Sequence, residues 1–102
     1  MECMETFGRW ISESRHIVFF GGAGVSTESG IPDFRGASGL YRLSGTSDGI
    51  SPEVLLSAAT LHRHPEDFYA FYHRHMLVPS ARPHAAHRVL ARLEAEGRLD
   101  AV

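Results

Sequence analysis

Glycines, hydroxyls, a carboxylate, an aromatic ring and a guanidinium follow one another within a short span of this sequence. They are Gly22-Ala23-Gly24, then Ser26 and Thr27, then Asp33-Phe34-Arg35. Glycine lets a backbone bend and approach a ligand closely, and backbone N–H groups with hydroxyls are the donors that hold a phosphate. A carboxylate accepts from an amide, a ring shields an apolar face and a guanidinium forks a phosphate. Two common phosphate loops are excluded. G-x-x-x-x-G-K-[ST] needs a lysine, and every basic residue here is arginine; in G-x-G-x-x-G, Thr27 stands at the third glycine position. Alone, a G-x-G after a strand fits a structural turn as well as a nucleotide site. For the second half, a plain turn closed by an Asp33–Arg35 ion pair is the alternative.

Such residues need elements to position them. Ile17 to Phe20, directly before the glycines, reads as a strand buried on both faces, as parallel strands are. Met4, Phe7, Trp10 and Ile11 recur at helical spacing and predict an amphipathic helix over 3–14. After the glycine turn, Val25 to Ser29 can open a short helix, whose free N–H groups and positive dipole end would face an anion. Residues 35–50 hold four glycines and four serines or threonines without sustained periodicity, and read as a mobile functional loop.

Ser51 is an expected N-cap, with Pro52 at the first helical position and Glu53 in the first turn. A further helix is expected from Pro65-Glu66-Asp67, with Phe68, Phe71, Tyr72 and His75 along one stripe. A third runs from about Pro83 to Glu96 on Ala86, Val89, Leu90 and Leu93, ended by Gly97. Leu99 to Val102 begins another strand. The alternation predicts an α/β fold, a Rossmann-like doubly wound parallel sheet. Two strands cannot cover the edges and faces of such a sheet, so the chain is expected to be its N-terminal part, an incomplete domain.

Composition sets limits on function. The 102 residues suffice for one small domain, and 43% apolar content is ordinary for a globular chain. A formal net charge of -2 gives no electrostatic reason to expect nucleic acid or an anionic membrane as partner. Cys3 is the only cysteine, so no disulfide and no cysteine-based zinc site can form within the chain. No stretch approaches the roughly 18 apolar residues of a membrane span. The acidic start, Met1-Glu2-Cys3-Met4-Glu5, lacks the basic region of a signal peptide, and a cytoplasmic location is expected.

Taken together, Gly22-Ala23-Gly24-Val25-Ser26 and Gly30-Ile31-Pro32-Asp33-Phe34-Arg35 resemble the paired GAGxS and GIPDFR motifs of the sirtuins, the NAD-dependent protein deacylases. The resemblance continues through Phe68-Tyr69-Ala70-Phe71. It reaches Pro83-His84-Ala85-Ala86-His87, which is similar to the family's P-N-x-x-H segment with His84 in place of asparagine. It runs over essentially the whole chain but corresponds to less than half of a sirtuin catalytic core, the N-terminal part of the NAD-binding domain.

The resemblance implies NAD as cofactor, an acetylated-lysine protein as substrate, and a role for each site residue. Gly22, Ala23, Gly24 and Thr27 would lie against the pyrophosphate and adjoining ribose. Ile31 and Asp33 would line the nicotinamide pocket, the aspartate accepting from the carboxamide N–H. Phe34 would shield the nicotinamide ribose, and Arg35 would reach a phosphate and help order the loop. Shielding matters because water would otherwise hydrolyse the activated ribose. The family's catalytic histidine, its T-Q-N-x-D segment and its four zinc cysteines match nothing in residues 1–102. Zinc is therefore expected only in the full family domain, and this chain alone is expected to be inactive. A non-catalytic NAD or ADP-ribose binding module and an inert fragment are the rival readings.

Other patterns carry less. His62/His64 and His73/His75 are i, i+2 pairs, which a helix places on different faces, so no metal site is expected from them. Gly45-Thr46-Ser47-Asp48-Gly49 matches G-x-S-x-G, but no strand precedes it and the esterase context fails. Sirtuins that favour succinyl or malonyl lysine carry a Tyr-x-x-Arg pair. Here Tyr72 is followed three positions on by His75, which favours deacetylation over a desuccinylase or demalonylase activity.

Overall fold

The structure is a computed structural model that describes residues 1–43 and 49–102. It divides into two compact units, Met1–Gly22 with Pro83–Val102, and Ala23–Arg82.

In the first unit, α1 spans Glu2–Glu13, with Glu2 and Glu5 in its first turn where the helix dipole favours negative charge. Ser14 leaves the helix in an extended conformation. A helix end leaves carbonyls without intrahelical donors, and here an arginine distant in sequence supplies them. Arg98 Nε donates to the Ser14 carbonyl at 3.0 Å, another of its N–H groups donates to the Ile11 carbonyl, and Nη1 donates to Glu96 at 2.9 Å. Of the expected apolar stripe, Ile11 is half-buried, while Met4, Phe7 and Trp10 stay 65%, 54% and 61% exposed.

β1 covers Ile17–Val18 and pairs in parallel with β2, Leu99–Ala101, in the register Ile17↔Leu99 and Val18↔Ala101. The Ile17 N–H donates to the Arg98 carbonyl at 2.9 Å and the Phe19 N–H to the Ala101 carbonyl at 3.0 Å. The expected strand to Phe20, buried on both faces, is corrected on two counts: regular pairing stops at Val18, and Val18 and Phe20 are 70% and 100% exposed. The physical reason is that the described residues form a two-stranded sheet and leave the Val18 and Phe20 side chains uncovered. α5 spans Ala85–Ala95, starting later than Pro83 because His84 is its N-cap. Gly97 ends it at a φ of +72°, a left-handed conformation natural to glycine, and the Arg98 N–H then donates to the Leu93 carbonyl at 3.0 Å. Leu93 is this unit's buried core residue.

The second unit begins with a 3-10 segment, Ala23–Ser29, followed by a 3-10 turn at Leu40–Arg42. Three α-helices follow: α2 (Pro52–Leu55), α3 (Ala58–Arg63) and α4 (Pro65–His75). Ser51 caps α2 by accepting from the Val54 N–H at 3.4 Å, as its position before Pro52 predicts. Ser57 caps α3 in the same way, accepting from the Thr60 N–H at 3.2 Å. α2 packs on the Leu40–Arg42 turn and on α3 and α4, around Leu40 and Phe71, which are 2% and 6% exposed.

Candidate functional site

The span Ala23–Arg42 is shaped by backbone hydrogen bonds that its glycines permit. The Gly30 N–H donates to the Thr27 carbonyl at 3.0 Å and the Ile31 N–H to the Ser26 carbonyl at 3.3 Å, with Gly30 at a φ of +89°. This left-handed step ends the 3-10 segment, and Pro32 biases Ile31 toward an extended conformation. The chain then turns. Asp33 Oδ1 accepts from the Gly36 N–H at 3.1 Å, and the return strand is tied by the Leu40 N–H donating to the Asp33 carbonyl at 2.8 Å and the Tyr41 N–H to the Phe34 carbonyl at 2.9 Å. A side chain at Gly36 would collide with the Asp33 carboxylate, and one at Gly39 with the Phe34 backbone carbonyl.

This folding makes a cleft of about 470 Å³ lined by Thr27, Gly30, Ile31, Pro32, Asp33, Ala37 and Ser38. It therefore brings together three of the residues singled out in the sequence: Thr27, Ile31 and Asp33. The Thr27 hydroxyl donates to the Gly24 carbonyl at 2.9 Å. Asp33 is half-buried. Gly22, Ala23 and Gly24 are exposed and do not line the cleft; Gly22 ends the first unit and Ala23 begins the second. The expected helix over Val25–Ser29 is instead a 3-10 segment of seven residues, with poorer hydrogen-bond alignment than an α-helix has.

Phe34 and Arg35 meet on Tyr41, which the sequence reading did not single out. The Phe34 and Tyr41 ring centroids lie 5.3 Å apart with planes tilted by 43°, and Arg35 Cζ sits 5.3 Å from the centre of the Tyr41 ring. Asp33 and Arg35 do not form the ion pair of the plain-turn alternative: the ion pairs among the described residues are His16–Asp100, Arg92–Glu96 and Arg98–Glu96. The aromatic at position 41, eight residues beyond Asp33, was the available signal. It went unread because its loop has no periodicity.

The sequence profile of the Sir2 family matches residues 22–102, the stretch that contains the cleft and the Phe34–Arg35–Tyr41 group. The chain belongs to the Sir2 family. It is 48% identical over 98 residues to an NAD-dependent protein deacetylase of Cutibacterium acnes, covering 96% of this chain and 40% of that protein. It is 51% identical over 94 residues to one of Clostridium acetobutylicum, covering 90% and 37%. A solved Sir2 complex with a deacetylated p53 peptide and 3'-O-acetyl ADP-ribose superposes with a TM-score of 0.74 at 37% identity, covering 95% of this chain and 37% of that one. The chain thus spans about two fifths of the length of these relatives. The Rossmann-like α/β class follows from that structural likeness, with two parallel strands as the described sheet.

Elsewhere in this Sir2-family chain, α4 carries Tyr72 and His75 with different ring partners. Tyr72 stacks on Phe68 at 6.2 Å and 15°, while His75 lies 4.6 Å from Phe71; neither lines the cleft. His64, Glu66 and Asp67 form an exposed group whose ligand atoms all lie within 4.8 Å of one another. Glu66 and Asp67 stand in the first turn of α4, a position where the helix dipole favours negative charge. At α5, His84 Nδ1 accepts from the Ala86 N–H and His87 Nδ1 from the His84 N–H, each at 3.2 Å, so His84 caps the helix. Of the G-x-S-x-G match, Gly45 to Asp48 lie outside the described residues. No helix among the described residues is long and apolar enough to cross a membrane.

Proposed function

We propose that the protein is an NAD-dependent protein-lysine deacetylase and that residues 1–102 are the N-terminal part of its NAD-binding catalytic domain, a doubly wound parallel sheet when complete. The observation that carries this reading is the cleft shared by Thr27, Ile31 and Asp33 in a chain whose relatives bear that name.

The residues present fit NAD. Asp33 uses Oδ1 for the turn, and Oδ2 has no protein donor among the described residues, so it can accept from the nicotinamide carboxamide. Ile31 gives the pocket an apolar wall. The exposed backbone of Gly22, Ala23 and Gly24, with Thr27, suits a pyrophosphate and ribose. Arg35, which has no carboxylate partner among the described residues, suits a phosphate, and the Phe34 ring excludes water from the nicotinamide ribose. When bound, NAD supplies nicotinamide as leaving group and the ribose carbon that takes up the acyl oxygen. No histidine of residues 1–102 is proposed as the base for the ribose hydroxyls, and zinc is assigned to the full family domain.

Acetyl-lysine is the preferred acyl substrate in this reading, because Tyr72 and His75 are both engaged in ring packing on α4 and present no Tyr–Arg pair to an acidic acyl group. A cytoplasmic location without nucleic-acid or membrane partners completes it. The test, on the protein expressed at its natural length, is calorimetric titration with NAD and ADP-ribose, together with an acetyl-lysine peptide assay. Binding with NAD-dependent transfer of the acetyl group from the peptide to ADP-ribose supports the proposal; binding without turnover makes the protein a non-catalytic module; no binding sinks both.

A further inference from the structure

We propose that Tyr41 is a positioning residue that presets Phe34 and Arg35 for the cofactor. The inference rests on the functional reading above and adds to it a residue that lies outside both motifs.

Three contacts converge on Tyr41. Its N–H donates to the Phe34 carbonyl at 2.9 Å, its ring meets the Phe34 ring at 5.3 Å, and the Arg35 guanidinium carbon lies 5.3 Å from its centroid. The residue is held from behind. Leu40, 2% exposed, anchors the turn, and its N–H donates to the Asp33 carbonyl at 2.8 Å. Gly39 lets the two backbone stretches approach, since a side chain there would meet the Phe34 carbonyl. The Arg42 Nε donates to the Arg35 carbonyl at 3.3 Å, fixing the backbone that bears the guanidinium.

The chemistry of that arrangement favours an anion. A guanidinium over a ring uses its flat face, and its N–H donors, which lie in the plane, stay available to fork a phosphate. Arg35 is exposed and has no carboxylate partner among the described residues, so Tyr41 is the group that restricts it. Restriction before binding removes part of the side-chain entropy that phosphate contact would otherwise cost. The same ring limits the rotamers of Phe34, so one side chain aligns the phosphate donor and the ribose shield.

The experiment is a double-mutant cycle, read by calorimetric titration of ADP-ribose into the protein expressed at its natural length. The variants are Tyr41→Phe, Tyr41→Leu, Arg35→Ala and the Tyr41→Leu/Arg35→Ala pair. Tyr41→Phe keeps the ring and is expected to bind within about two-fold of wild type, whereas Tyr41→Leu weakens binding about three- to ten-fold. In the Arg35→Ala background, Tyr41→Leu is expected to cost less than about two-fold, because the guanidinium it positions is gone. Undiminished affinity in Tyr41→Leu overturns the proposal. So does an equal loss with and without Arg35, which would make Tyr41 a direct ligand contact or a plain packing residue. If Tyr41→Leu does not fold, Tyr41→Met runs the same cycle with an unbranched apolar chain. Failure of the wild type to bind ADP-ribose overturns the functional reading and this inference together; wild-type binding with an unaffected Tyr41→Leu overturns this one alone.

Discussion

Asp33 and Gly36 are joined across one turn, the carboxylate Oδ1 of the first accepting from the backbone N–H of the second at 3.1 Å. The bond occupies one face of the carboxylate and leaves Oδ2 on the residue that lines the cleft. Turn closure and ligand recognition therefore share a side chain, and substitution can separate them. In Asp33→Asn the amide oxygen still accepts from Gly36, but an amino group replaces the second acceptor. The expected result is ADP-ribose affinity within about two-fold of wild type and NAD affinity reduced about ten-fold or more, the loss being confined to the nicotinamide end. Equal losses for both ligands would place Asp33 in the turn alone.

Gly39 has a φ of -70°, which any residue adopts, so its requirement is for space. A Cβ there would run into the backbone carbonyl of Phe34, which cannot rotate away as a side chain can. Gly39→Ala is expected to destabilise the protein by roughly 1–3 kcal/mol in urea denaturation. Unchanged stability would mean that the Leu40 and Tyr41 hydrogen bonds to Asp33 and Phe34 survive a displaced loop.

The Ser29 hydroxyl is buried without a hydrogen-bond partner among the described residues. Burial of an unpaired hydroxyl is unfavourable, and an isosteric apolar group avoids that cost. Ser29→Ala is expected to raise stability by about 1 kcal/mol, read as a higher denaturation midpoint at unchanged slope. A loss of stability would show that the hydroxyl is paired in solution.

Arg98 ties the end of α1 to the start of β2 through the Ser14 and Ile11 carbonyls. Arg98→Ala removes both donors and is expected to cost roughly 1–3 kcal/mol. Faster amide exchange over residues 10–14 would locate the loss at the C-terminus of α1. A lysine has one donor centre in place of the fork, so Arg98→Lys should fall between alanine and wild type.

Much of this architecture was legible in residue order. Ser51-Pro52 marked a helix start because a hydroxyl N-cap and a proline at the first helical position satisfy local backbone demands, and the structure forms α2 there. Gly97 marked a helix end because the left-handed conformation that closes α5 is a local property of glycine. The burial of the expected β1 strand was not legible, since apolar content tells that a strand can be covered and not what covers it. The seven-residue 3-10 form of Ala23–Ser29 was missed for a similar reason: propensity marks a helical turn but does not choose between neighbouring hydrogen-bond patterns.

By itself, the sequence determined the family, the chemical types in Gly22 to Arg35, the start of α2 and the end of α5, because these depend on residues close together in the chain. Tertiary structure decided which of those residues share a cleft. It placed Thr27, Ile31 and Asp33 around one space, left Gly22, Ala23 and Gly24 off its lining, and set Phe34 and Arg35 on Tyr41. Those outcomes depend on the turn that lays residues 40 and 41 back against 33 and 34. The turn requires close backbone approach at Gly39 and the burial of Leu40, both products of packing in three dimensions.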